Sequence, residues 1–428
     1  MASTLDQQTS AAAGRLSSRR TLLALGGGNA IEWFDWTVYG LLAALMGPHF
    51  FPSADPVSAT LSALAVFAVG FVARPLGAII LGTLADRVGR RRIMLVSVGS
   101  MAVSAVVIAV LPTYQEIGAW AGVILACSRI VQGISTGIEA PLTSTYAVEL
   151  APPGKTARFG GILGSYVQLG ILGASVVNFV TSAVVGDAAM ADWGWRVPFV
   201  VGAVAGIGVL WLRRGLPETT HAEPGTGTRD LWAQVGRNKL ALLAIVFVVA
   251  GAQTFNYAWN VGLPGLARSV YHESPTAIFG VTSLLGVVCS ILFMVFGRAA
   301  DRFRISRTFV AAQLLAVPFV FLMLAYNRPG VVVFAVVMLL GGVSMAFTMA
   351  LYNVVAATLM PASCRVTGVG LGYAVGVALF GGTAPYLLLW LRKIGAVWAF
   401  PAYAAVIFLV SVLLYRIAYR RGSVRVGD

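Results

Sequence analysis

The chain has 428 residues, 58% of them hydrophobic and 11% charged, far from the roughly one-quarter charged composition of a soluble enzyme. A net charge of +14 could mark a nucleic-acid binder, but the apolar excess and the placement of the basic residues exclude it. A bilayer core takes about 20 apolar residues per helix, and backbone groups in lipid must be satisfied within their own segment, so the apolar runs are read as helices. No series of alternating strands of about ten residues suggests a barrel.

In chain order, residues 1–20 are small and polar and are expected to be mobile. Ser18-Arg19-Arg20 and the apolar run behind it resemble a twin-arginine export signal, but that run carries Glu32 and Asp35 and lacks a small-residue cleavage site. Twelve spans follow, at 21–46, 61–84, 93–111, 119–147, 159–183, 196–212, 239–262, 277–297, 308–326, 331–358, 366–391 and 397–418. With the N-terminus in the cytoplasm, 23 of the 30 Lys and Arg residues fall in cytoplasmic segments. Five fall outside (Arg196, Arg268, Arg328, Arg392, Lys393) and two, Arg74 and Arg129, lie within spans. This is the positive-inside pattern, and it places both termini in the cytoplasm. The expected organisation is an all-α membrane protein. A cytoplasmic segment (1–20) leads into a six-helix bundle (21–212), a polar linker (213–238), a second six-helix bundle (239–418) and a short tail (419–428).

Intramembrane charge is rare and usually marks a pathway or a pair. Here it concentrates in the first half. The first span carries Asn29, Glu32, Asp35 and Tyr39, three or four residues apart and so on one helix face. The second carries Arg74, about two turns from its charged end. The fourth carries Arg129, Gln132 and Thr136 on one face, with Glu139 nearer the cytoplasm. Arg129 reaches a depth similar to Glu32 and Asp35, which predicts a carboxylate–Arg129 pair. A carboxylate in such a place is pushed toward protonation by desolvation and toward ionisation by an arginine. An arginine that changes partner therefore changes proton affinity, and Glu32, Asp35 and Arg129 are the candidate proton-coupling set. A permanent interhelical lock is the plainer alternative, although three acids and two arginines exceed what one lock needs.

The second half offers neutral groups instead: Gln253, Asn256, Tyr257, Trp259 and Asn260 on the seventh span, Tyr352 and Asn353 on the tenth, and Tyr373 and Thr383 on the eleventh. Amides and aromatic faces can contact a small polar solute; interhelical hydrogen bonding and interface belts are the bland reading. The candidate substrate-binding set is Tyr39, Arg74, Gln132, Glu139, Asn256, Tyr257 and Tyr373. The three cysteines fall in separate segments, and the three histidines lie at or near loops, so no disulfide, metal site or cofactor is expected.

Between spans two and three the chain reads Gly82-Thr-Leu-Ala-Asp86-Arg87-Val-Gly89-Arg90-Arg91-Arg92, and a degraded copy, Gly297-Arg-Ala-Ala-Asp301-Arg302-Phe-Arg-Ile-Ser-Arg307, stands 215 residues later. Arg158-Phe-Gly-Gly161 and Arg365-Val-Thr-Gly368 repeat with an offset of 207. Two related halves are the design by which secondary transporters build a site between repeats. The turns are expected to act in gating, with Asp86, Arg87 and Arg90 near Glu149 and Arg158 in one half, and Asp301, Arg302 and Arg365 in the other. Charge that merely sets topology is the competing reading.

These residues resemble the major facilitator superfamily over nearly the whole chain, through the Gly-x-x-x-Asp-Arg-x-Gly-Arg-Arg turn. Within it the chain is most similar to the bacterial metabolite:proton symporters. The supporting runs are Gly28-Asn-Ala-Ile-Glu32-Trp-Phe-Asp35-Trp-Thr-Val-Tyr39-Gly, Phe71-Val-Ala-Arg74-Pro75-Leu-Gly77, Arg129-Ile-Val-Gln132-Gly133 through Glu139, Pro361-Ala-Ser-Cys-Arg365-Val-Thr-Gly368 and Phe380-Gly-Gly-Thr-Ala-Pro385. The resemblance implies twelve helices in two pseudo-symmetric six-helix bundles, alternating access, and proton-coupled uptake of a small organic acid or compatible solute by a monomer in a bacterial inner membrane. Pro141-Leu142 after Glu139 and Ala374 after Tyr373 depart from the family pattern, so the solute cannot be copied from a relative. A drug/proton antiporter on the same fold usually carries Gly-Pro in the fifth span, where this chain has no proline. A membrane enzyme or sensor would need a nucleophile–base pair, metal ligands or a signalling domain, and none is evident.

Overall fold

The computed structural model describes residues 2–150, 156–216, 228–300, 304–361 and 364–421. Every regular element described is helical. The first half contains α1 (Ala2–Phe50), α2 (Pro56–Val88), α3 (Arg90–Val110), α4 (Trp120–Leu150), α5 (Thr156–Val185) and α6 (Arg196–Arg213). The second contains α7 (Lys239–Ser269), α8 (Pro275–Ala300), α9 (Ile305–Val320), α10 (Val331–Leu359), α11 (Thr367–Lys393) and α12 (Ala399–Arg420). Eleven described helices are long and apolar enough to cross a membrane; α1, which carries Glu32 and Asp35, completes the set of twelve.

Local chemistry explains the breaks. Asp55 caps α2 by accepting from the Val57 N–H at 3.0 Å, and Pro56 takes the first helical position, where its missing N–H costs nothing. Gly89, at φ 107°, turns α2 into α3, a backbone conformation open to glycine and strained for other residues. Arg196 begins α6 and donates to the carbonyls of Ala109 and Leu111 at 2.9 and 2.8 Å, placing a cation on the negative end of α3.

The halves share one packing plan. The contacts α1–α5, α2–α4 and α3–α6 recur as α7–α11, α8–α10 and α9–α12. The bundles meet chiefly along α5–α8, α2–α11 and α1–α7. Lipid supplies little hydrophobic drive between helices, so close approach through small residues carries the packing. The α2–α4 seam is the clearest case. A Cβ on Gly77 would stand 1.9 Å from the Ile134 carbonyl oxygen, one on Gly133 1.9 Å from that of Gly70, and one on Gly137 2.1 Å from that of Arg74.

Two expectations change, and two spans carry an irregularity that the sequence does not announce. Residues 2–20 continue α1 as helix without a break at residue 21. The segment expected as linker begins with Arg213, which is the last residue of α6 and fully buried, and contains a helix at Thr228–Arg237. α7 and α11 are not regular throughout: π-helical turns occupy Ala258–Gly262 and Val377–Gly381.

Candidate functional site

Six side chains with formal charge are buried among the described residues: Glu32, Asp35, Arg74, Arg129, Glu139 and Arg213. They form three ion pairs, all in the first bundle. The Asp35 carboxylate accepts from Arg129 Nη1 at 2.8 Å and from Gln132 Nε2 at 3.0 Å. The predicted carboxylate–Arg129 pair thus joins α1 to α4, and Gln132 completes it from one turn along α4. Glu32 lies 3.2 Å from Arg74 Nη1. Glu139 is bound by both terminal nitrogens of Arg213, and Arg213 also donates to the carbonyls of Ala24 and Met94. Ser97 Oγ stands 3.4 Å from the same carboxylate.

The three pairs differ in how firmly they are held. Glu139–Arg213 is a two-point clamp with backbone support, and a Cβ on Gly28 would collide with the guanidinium, so the first helix leaves room for it. Glu139, expected to line the substrate site, is instead committed to this clamp. Arg213 was missed in the sequence because Arg213-Arg214 reads as the basic start of a polar linker; only its place one residue inside the helix end separates it from Arg214. Asp35 is held by two donors from α4. Glu32–Arg74 is the slackest pair, and Arg74 Nε has no hydrogen-bond partner.

Aromatic rings wrap the two central arginines. Trp36 lies between them, its ring 4.6 Å from the Arg74 guanidinium carbon and 5.3 Å from that of Arg129. Arg74 also covers Phe71 at 4.4 Å, and Arg129 covers Tyr39 at 4.0 Å. Such faces partly replace water around a cation. The Tyr39 hydroxyl donates to the Ala63 carbonyl at 3.0 Å, so Tyr39 supports Arg129 from below with its polar end already engaged. Trp36 Nε1, Arg129 Nε and Nη2, Gln132 Oε1 and the Tyr257 hydroxyl are buried without a partner. Several unspent polar atoms therefore surround the pairs, where an unmet group ordinarily costs about 1–3 kcal/mol.

The second bundle closes the other side. Tyr257 of α7 stacks on Trp33 of α1 at 6.1 Å and meets Phe71 of α2 edge-on at 5.0 Å. A run of amides continues along α7: Asn260 donates to Asn256 at 2.9 Å, Asn256 to Gln253 at 3.3 Å, and Gln253 to the Tyr352 hydroxyl of α10 at 3.1 Å. Tyr373 of α11 shares an electrostatic neighbourhood with Tyr352, Tyr257, Arg74 and Glu32. The π turn of α11 brings Gly381 against Gln253 and Tyr257, and Gly382 against Phe71. Single π turns inside helices often occur at functional sites. Tyr257 and Tyr373 are thus brought to the interface with Arg74, Asn256 bonds along its own helix to Gln253 and Asn260, and Tyr39, Gln132 and Glu139 belong to the interior of the first bundle.

The gating set is only partly visible. Asp301 and Arg302 lie outside the described residues, as do the side chains of Asp86, Arg87, Arg90, Glu149 and Arg158. Arg365 donates from Nε to the Met360 carbonyl at 3.3 Å. At the opposite end, the structure reveals a clasp that the sequence reading did not single out. Asp55 pairs with Lys393 at 2.8 Å. Asp187, beyond α5, accepts from the Thr276 N–H at 3.0 Å and from the hydroxyls of Thr276, Ser182 and Ser274. Both contacts tie the first bundle to the second. The Lys393 ammonium, with Ser58 and the Val57 amide, draws the Asp55 carboxyl down to about 2. Burial raises the Asp187 carboxyl, but the hydrogen bonds from Ser274, Thr276 and Ser182 outweigh it and hold it below the usual range.

Residues 25–385 match the Major Facilitator Superfamily. The chain is 34% identical to the alpha-ketoglutarate permease of Escherichia coli (strain K12) over 93% of its own length and 95% of that protein. It is 32% identical to the citrate-proton symporter of Klebsiella pneumoniae over 86% of its length and 84% of that protein, and 32% identical to the proline/betaine transporter of Escherichia coli (strain K12) over 92% and 82%. In fold it is similar to the D-xylose-proton symporter (TM-score 0.76, 17% identity, 93% of this chain and 97% of that one). It also resembles a bacterial homolog of the lysosomal transporter Spinster in an inward-facing conformation (TM-score 0.70, 16% identity, 96% and 99%). The chain belongs to the Major Facilitator Superfamily.

Proposed function

We propose that this member of the Major Facilitator Superfamily is a proton-coupled symporter that imports a small carboxylate-bearing metabolite by alternating access. It would work as a monomer in a bacterial inner membrane, with both termini and the linker of 213–238 in the cytoplasm. The observation that carries the reading is the Glu32–Arg74 pair: it has the longest contact of the three, and it faces the second bundle. A solute carboxylate arriving at Arg74 makes a charge-assisted contact that is strong in a dry site. Glu32 then loses its cation, and an unpaired buried carboxylate is costly; taking up a proton removes that cost. Solute and proton thereby enter together. Once the bundles rock and both leave, Glu32 closes back on Arg74. Asp35, Arg129 and Gln132 act beside this exchange: Trp36, which both arginines cover, ties the two pairs so that a shift at Arg74 is felt at Arg129. Asn256, Tyr257 and Tyr373 supply neutral contacts from the other wall. The clasp at Asp55–Lys393 and Asp187 serves as the outer gate, and the charged turns around Asp86, Arg87, Arg90, Glu149, Arg158, Asp301, Arg302 and Arg365 as the inner one.

The names of the relatives support this class, since they include a permease and two kinds of solute transporter, one of them explicitly proton-coupled. The test is uptake into proteoliposomes under an imposed pH gradient. Glu32→Gln mimics the protonated form, so it should lose accumulation against a gradient yet keep solute exchange, with binding that no longer changes between about pH 5 and 8. Retention of pH-driven accumulation by that variant would remove Glu32 from the mechanism.

A further inference from the structure

One end of the second bundle, where α7 and α9 begin and α12 finishes, carries a charged surface that solute transport does not use. We propose that this rim, centred on Arg416 and Arg420 of α12, binds the phosphate headgroups of anionic phospholipid. The proposal takes from the functional reading only that this end faces the cytoplasmic leaflet.

α12 packs against both α7 and α9. Phe309, in the second turn of α9, meets Tyr415 of α12 with ring centroids 4.8 Å apart, so the start of α9 and the last turns of α12 lie at one depth. Six cations stand exposed on these ends: Arg237 and Lys239 at the head of α7, Arg304 and Arg307 at the head of α9, and Arg416 and Arg420 on α12. The two on α12 are four residues apart, so they share a face and repel each other. The chain supplies little to offset them. Between residues 239 and 421 it has two acids, Glu273 and Asp301. Glu273 is at the opposite end of the bundle, where it accepts from the Gly330 N–H, and Asp301 lies outside the described residues. Asp230 stands about two turns from Arg237 on the linker helix. Among the described residues none of the six cations pairs with an acid.

The matching helix of the first bundle is built differently. α6 sends its last arginine, Arg213, inward to Glu139, whereas α12 keeps its arginines outside. Charge that only sets topology needs no particular neighbours. Here aromatic rings stand among the cations. Tyr419, three residues from Arg416, is 40% exposed. The linker helix Thr228–Arg237 packs on α7 and α11, burying Val235 and leaving Trp232 42% exposed. Tyr and Trp rings favour the headgroup level of a bilayer, and clustered cations at the foot of a membrane helix suit anionic lipid. A soluble phosphate would meet the same cations but gain nothing from the rings.

The test uses the purified full-length chain in nanodiscs of phosphatidylcholine with a rising share of phosphatidylglycerol. Thermal melting and native mass spectrometry of the retained lipid are the readouts. A lipid that binds the folded chain raises its melting temperature. Each cation near an anionic surface is worth roughly fivefold, so the wild type should prefer phosphatidylglycerol by more than about 20-fold, and Arg416→Gln with Arg420→Gln should lower that preference by about the same factor. Arg416→Lys with Arg420→Lys keeps the charge and should stay within about threefold of wild type. Arg328→Gln, which removes an exposed cation at the opposite end, should change nothing. Equal retention of the two lipids, an equal loss in Arg328→Gln, or a preference unmoved by the double glutamine change overturns the proposal. So does a melting shift from millimolar inorganic phosphate as large as that from phosphatidylglycerol, which would make the rim a site for soluble anions. Solute uptake is not a readout, so failure of the symport reading leaves a positive result standing, and failure here leaves the symport reading untouched.

Discussion

The two bundles are built on one helix plan and bury opposite chemistry. Among the described residues, the first buries three ion pairs across α1, α2, α4 and α6. The second holds amides, hydroxyls and two π turns. A duplicated scaffold has thus been divided into a charged half and a neutral half. On the proposed function, proton chemistry would stay within the charged half while the neutral half changes what Arg74 and Glu32 can reach.

Variants can break or sharpen that contrast. The largest effect is expected from Arg129→Ala, which strands Asp35 in the interior: a loss of about 3–5 kcal/mol of stability and of transport, read by thermal melting and proteoliposome uptake. Glu139→Gln should come next in stability, about 2–4 kcal/mol, since Arg213 would be left without its counter-ion. Being farther from the second bundle, it should leave the KM of surviving molecules near wild type, and an altered KM would return Glu139 to the solute site. On the neutral side, Asn256→Ala should cost under about 1 kcal/mol of stability yet raise KM about tenfold, one lost hydrogen bond to a polar solute being worth roughly that much. Equal losses in both bundles would erase the distinction.

The smallest effects belong to the clasp. Asp187→Asn should raise outside labelling of a cysteine placed on α8 by about twofold to fivefold, in keeping with surface-level contacts, and Asp55→Asn by less. Both carboxyls are held below their usual range. Their contribution is therefore complete above the ordinary carboxylate value and fades only as pH falls through the lowered one. Clasp strength should be flat from about pH 5 to 8, and a pH dependence of uptake in that interval must come from elsewhere.

Much of this was legible in the sequence for a physical reason: charge in an apolar run is conspicuous. Glu32, Asp35, Arg74 and Arg129 stood out, and their depth predicted a carboxylate–Arg129 pair, without choosing between Glu32 and Asp35 as the partner. What could not be read was commitment. Glu139 and Gln132 look equally poised on one helix, but Glu139 faces a guanidinium that arrives from the far end of α6, a contact 74 residues away in sequence. Arg213 looked like surface charge because helix ends and loop starts share the same residues. Asp187 escaped notice because its partners are neutral hydroxyls, which carry no signal until the chain folds. The π turns were hidden as well, since Ala258–Gly262 and Val377–Gly381 differ from ordinary helix only in how the backbone bonds are spaced.

The glycine seam between α2 and α4 carries a last consequence. With the backbones in direct contact at Gly77, Gly133 and Gly137, these two helices form a single plate. A short chemical tether welded across that seam should therefore leave turnover intact, whereas the same tether between α5 and α8 should arrest the cycle in whichever posture it was set.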